Sequence, residues 1–123
     1  MTILLVGAGG FLGAISRYLV DGWIATVTRG GFPWGTLIVN VSGSFALGLL
    51  FALSVERGVL SPALRAPMLI GFIGAYTTFS TLTLETWRLV ETGSYIAAVA
   101  NMGGSVVLGL IAVVAGLAIG RLA

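Results

Sequence analysis

The sequence has no cysteine and no histidine among its 123 residues. Those absences exclude disulfides, thiolate nucleophiles, His- or thiolate-based metal sites and the usual catalytic triads. Lysine is missing too, and only 8% of residues are charged, against about 25% in a typical soluble domain. Six arginines and four acids cannot cover a globule of 12.6 kDa. The chain is therefore read as an all-α membrane protein. A net charge of +2 is too small and too dispersed for a nucleic-acid footprint, so nucleic acid is not expected as a partner. The start, Met1-Thr2-Ile3, lacks the basic flank and small-residue cleavage site of a secretory signal, so the first apolar stretch is expected to be a permanent span.

What fills the chain is apolar: 58% of residues are hydrophobic and the mean hydropathy is +1.11. A spanning helix needs roughly 20 apolar residues, which allows four spans with short connections. They are expected at about 3–20, 34–53, 67–90 and 95–119, in a single transmembrane domain over 1–123. Trp23 and Trp34 flank the first connection, as indole rings do at a membrane–water interface, and Pro67 suits the opening turn of the third helix. Loops this short hold no globular active site, so function is expected among the helices.

Nineteen glycines sit largely on the spans, and Gly9/Gly13 and Gly116/Gly120 have the small-xxx-small spacing that lets helices approach closely in lipid. So thin a bundle is expected to dimerise. On the second span Thr36, Asn40, Ser44 and Gly48 recur every four residues, forming one polar-to-small stripe. Asn101, Ser105 and Gly109 repeat the device on the fourth. An asparagine at bilayer depth must find hydrogen bonds, and two such stripes point to a polar track for a solute as well as to helix glue. The third span contains GFIGAYTTFSTLTLE, from Gly71 to Glu85, whose hydroxyls compete for backbone groups and bend helices. An interruption there would free carbonyls, hard oxygen ligands suited to a small alkali cation. Arg17 can snorkel to the interface, and Glu85 can pair with Arg88 at i, i+3.

These stretches resemble the Fluc (CrcB) family of small fluoride channels. GTLIVNVSGSFALG with Asn40, FLGAISRY with Arg17, and above all GFIGAYTTFST carry the resemblance, which covers essentially the whole chain. It implies a homodimer of two copies inserted in opposite orientations in the cell (inner) membrane, surrounded by lipid, with two fluoride pores and one central structural Na⁺. It places Asn40 in a pore with the ring edge of Phe79, and Ser105 and Asn101 on a fourth-helix polar track, Asn101 where the family often has tyrosine. Thr36 and Ser80 are counted with the pore. Arg17 is expected near a vestibule, and the backbone carbonyls of Gly74 and Thr77 are expected to hold the Na⁺ where the third helix breaks mid-membrane. Leu82 departs from the family's TTFSTF pattern, leaving one ring where that pattern has two.

Amide, hydroxyl and aromatic-edge donors can replace fluoride's hydration without a fixed cation. Fluoride enters cells as HF and is trapped on dissociation. An inside-negative potential of 100 mV supplies about 2.3 kcal/mol per charge, so passive outflow would hold internal fluoride roughly 50-fold below external. Other classes remain as alternatives. A small dual-topology multidrug exporter needs an embedded Glu in its first span, which here has Arg17 and no acid. An accessory subunit of a heteromeric fluoride channel draws support from Leu82. An enzyme lacks a nucleophile–base pair. Arginines near the span ends number three on each side (Arg57, Arg65 and Arg121 against Arg17, Arg29 and Arg88), so charge gives no orientation bias and dual topology is expected.

Overall fold

The computed structural model describes residues 1–123. Four helical segments long and apolar enough to cross a membrane account for nearly the whole chain. Helix α1 is Thr2–Val27. Helix α2, Trp34–Phe51, widens into a π-helical turn at Ala52–Glu56. The third segment begins with α3 (Pro62–Ala66), becomes π-helical over Pro67–Ile73, and ends its first half in α4, Gly74–Tyr76. Helix α5 covers Phe79–Glu91 and α6 Tyr95–Leu122.

Two boundaries differ from the sequence reading. The expected connection at Asp21 is helical as far as Val27, because a single acid on a helix surface does not break it. The third segment opens at Pro62 after Ser61, which leaves Pro67 inside the helical path. Proline lacks the N–H for an i→i−4 bond and crowds the preceding turn, and the backbone from there on takes the wider π spacing. At the other end, α5 stops at Glu91. Gly93 has φ +76°, its N–H donates to the Val90 carbonyl and that of Ser94 to Leu89, the Schellman arrangement that satisfies the last carbonyls of a helix.

Packing is dominated by two close pairs of backbones, α2 with α6 and α1 with the π-helical segment. A methyl group at Gly48 would overlap the Val113 carbonyl, and one at Gly116 the Phe45 carbonyl. Methyls at Gly9 and Gly13 would strike the carbonyls of Pro67 and Phe72. Both small-xxx-small motifs are thus used within one chain. Only 20 of 123 residues are buried, and Phe11, Leu12, Ile96, Leu110 and Ile111 stand exposed. An outer surface this apolar requires lipid or a protein partner around it.

Candidate functional site

The third segment carries the site. The helical path stops at Tyr76: Thr77 (φ −78°, ψ 157°) and Thr78 (φ −150°, ψ 117°) are extended, and α5 restarts at Phe79. Two threonines hold the ends. Thr77 donates its hydroxyl to the Ile73 carbonyl at 3.0 Å. The Thr78 hydroxyl accepts from the Thr81 N–H at 3.3 Å, an N-cap that satisfies one of the N–H donors a helix start leaves free.

The remaining backbone groups of Thr78 are taken by Asn40 from α2. The Thr78 N–H donates to Asn40 Oδ1 at 2.7 Å, and Asn40 Nδ2 donates to the Thr78 carbonyl at 2.9 Å. The amide therefore does for Thr78 what a neighbouring strand would do. One amide hydrogen of Asn40 is left over, since the group carries two. With its N–H committed to Asn40, Thr78 gives nothing to the Gly74 carbonyl, which a continuous helix would have used.

A groove of about 450 Å³ opens beside this interruption. Asn40, Ser44, Thr77, Phe79, Leu82 and Ser105 are among its lining residues, and none of the fourteen is charged. Phe79 lines the groove yet is 73% exposed, whereas Leu82 is 5% exposed and forms part of the wall.

The other expected site residues lie elsewhere. Thr36 is buried and donates to Glu85 Oε1 at 2.8 Å. Thr36 and Arg17 line a separate cavity of about 210 Å³ together with Asp21 and Thr81. Arg17 reaches inward, with Nη1 3.4 Å from the Thr77 carbonyl, so it does not snorkel away from the protein. Glu85 turns to Thr36 and away from the exposed Arg88, so the i, i+3 ion pair does not form. The chain's one ion pair joins Arg121 and Glu56 at 2.7 Å, tying the end of α6 to the turn after α2. Ser80 is exposed, 3.4 Å from the Thr78 hydroxyl. Asn101 is fully buried and does not line the groove, its Nδ2 donating to Thr86 Oγ1 at 3.0 Å.

Sequence reasoning passed over Thr78 and Thr86. A threonine at 78 just ahead of the apolar Phe79 was an available N-cap signal; nothing local pointed to Thr86, whose role depends on which helix faces it.

Comparison with known proteins agrees with this architecture. Residues 4–117 match the family described as CrcB-like protein, Camphor Resistance (CrcB). The chain is 47% identical over 120 residues to a protein of Hahella chejuensis, covering 98% of this chain and 94% of that one. It is 45% identical over 122 residues to a protein of Magnetococcus marinus, covering 99% of each, and 45% identical over 119 residues to one of Rhizobium meliloti, covering 97% and 95%. All three relatives carry the name fluoride-specific ion channel FluC. Matched over nearly its whole length, the chain belongs to the CrcB-like family.

Proposed function

We infer that this chain is a multi-pass membrane protein that conducts fluoride, and not an enzyme. The observation that carries the reading is the uncharged groove beside the interruption, with Asn40, Thr77, Phe79 and Ser105 in its wall, in a chain 47% identical to a fluoride-specific ion channel. A small, strongly hydrated anion needs several donors in place of water, and it must also leave. An amide hydrogen, hydroxyls and the positive edge of a phenyl ring supply the first without the grip of a buried cation. Arg17 sits in the neighbouring cavity, where its charge can attract the anion without binding it inside the groove. Flow is passive, driven outward by the membrane potential.

The interruption lies within the bilayer, where extended backbone is tolerated because Asn40 and the Thr77 and Thr78 hydroxyls satisfy the backbone groups around it. The functional unit is an antiparallel homodimer. The exposed Phe79 ring and the largely exposed face of α1 support a second copy, and the even arginine distribution allows it to insert inverted. Gly74 and Thr77 are the ligands for a structural Na⁺. The Gly74 carbonyl has lost its helical donor, and the Thr77 carbonyl has a second lone pair beyond the one facing Arg17, so both fit a hard cation. Purified protein in liposomes loaded with fluoride tests the central reading. Under a K⁺ diffusion potential, efflux to a fluoride electrode should be rapid and chloride efflux absent; retained fluoride in vesicles holding folded dimer would refute it.

A further inference from the structure

The hydroxyls of Ser54, Thr77 and Thr86 each donate to the backbone carbonyl four residues earlier, the usual fate of a hydroxyl in an apolar helix. Ser105 does not. Its residue lines the groove, yet Oγ itself is buried and has no hydrogen-bond partner. One turn before it on α6, Asn101 Oδ1 is also buried and unpartnered. Asn101 is 0% exposed and Ser105 7%, so no water-sized space adjoins the amide, and the two orphaned atoms must serve each other or remain costly.

The orientation of the Asn101 amide follows from its neighbours. Thr86 Oγ1 spends its hydrogen on the Leu82 carbonyl at 2.8 Å, so toward Asn101 it can only accept. The Asn101 atom 3.0 Å away is then the N–H side of the amide, and Oδ1, an acceptor, is presented on the other side. An acceptor repels an anion but suits a serine hydroxyl.

We propose that Asn101, oriented by Thr86, is a positioning residue that stores the Ser105 hydroxyl: the hydroxyl, bonded to neither side in this structure, turns about χ1 between a bond to Asn101 Oδ1 and the groove, where an arriving ion draws it. Residues i and i+4 are neighbours on a helix face. The stored bond offsets part of the attraction between Ser105 and the ion, so the ion can leave.

The proposal rests on the fluoride-channel reading, and two arms separate their failures. The first is spectroscopic and needs no conduction. The chain has two asparagines and no glutamine, so ¹⁵N-Asn-labelled protein in bilayers gives two side-chain NH₂ pairs by solid-state NMR. Thr86→Val should move one amide proton of the Asn101 pair upfield and leave the Asn40 pair unchanged, while Thr86→Ser keeps the parent spectrum. The second arm measures fluoride currents in planar bilayers. Asn101→Leu and Thr86→Val should each lower both the maximal current and the half-saturating fluoride concentration, the latter about fivefold, the worth of one neutral hydrogen bond. Thr86→Ser should restore both, and Asn101→Leu should add nothing in a Ser105→Ala background. A mere packing defect would reduce current without tightening binding. An Asn101 pair insensitive to Thr86→Val overturns the proposal, as does a half-saturating concentration that is unchanged or raised. If Asn101→Leu does not fold, Thr86→Val decides alone. A silent parent refutes the channel reading, and the spectrum still decides the orientation of Asn101.

Discussion

Replacing Asn40 by leucine keeps the branched shape of the side chain, with bulkier methyl groups in place of the amide atoms, and removes both hydrogen bonds to Thr78, formed at 2.7 and 2.9 Å. The Thr78 N–H and carbonyl would then be unpaired in apolar surroundings. Each orphaned group costs about 1–3 kcal/mol, so Asn40→Leu should destabilise the fold by roughly 2–6 kcal/mol. Asn40→Asp retains one bond, because a carboxylate still accepts from the Thr78 N–H. Its second oxygen meets the Thr78 carbonyl where an N–H had been, and its charge faces the groove. It should therefore be more stable than the leucine variant wherever repulsion is smaller than a second lost bond, yet equally silent, since a fixed negative charge repels the anion. Reversible denaturation in mixed micelles followed by circular dichroism reads the stability, and liposome efflux reads conduction. Ser44→Ala, which removes a groove hydroxyl that holds nothing in place, is the control. An Asn40→Leu protein within about 0.5 kcal/mol of the parent, the scatter of innocuous substitutions, would refute the claim that this amide holds the interruption together.

Phe79→Ile should assemble normally and lose fluoride efflux, because the ring is exposed in the protomer and its edge is the only aromatic donor in the groove; parent-like efflux would remove the ring from the pathway. Leu82→Phe should fold and conduct like the parent, the groove of about 450 Å³ having room for a ring; a silent parent rescued by Leu82→Phe would instead mark a subunit needing a different partner. Exchange of Na⁺ for a large organic cation should shift purified protein from dimer toward monomer by mass action, read by light scattering in detergent, and an indifferent dimer would dismiss Gly74 and Thr77 as ligands. Paired C-terminal reporters, one fluorescent only inside the cell and one active only outside, should both give signal; signal from one alone would refute dual topology.

Much of this molecule is written locally. Apolar runs of spanning length need no tertiary information, because in lipid every backbone group must be satisfied within its own helix. That rule alone placed four segments and confined the polar positions to stripes on them. The crowding of Thr77, Thr78, Ser80, Thr81 and Thr83 likewise announced that the third segment is not an ordinary helix. Its starting point was legible only in part, since a proline reads equally well at the first turn or inside a widened one, and the structure chose Pro62 for the start and Pro67 for the π turn.

What only the tertiary structure decided is the partner of each polar group. Asn40 pairs with Thr78, 38 residues away, and Arg17 with Thr77, 60 residues away. Glu85 had a plausible partner three residues on and took Thr36 instead. Asn101 was legible as a polar residue at membrane depth, but not that Thr86 would consume its N–H and turn its carbonyl oxygen inward. Hydropathy is summed over a window of neighbours and survives small errors of register. A hydrogen bond needs two particular atoms within about 3 Å, and which atoms meet is fixed only when glycine contacts between α2 and α6, and between α1 and the third segment, set the helices' depth and rotation against one another.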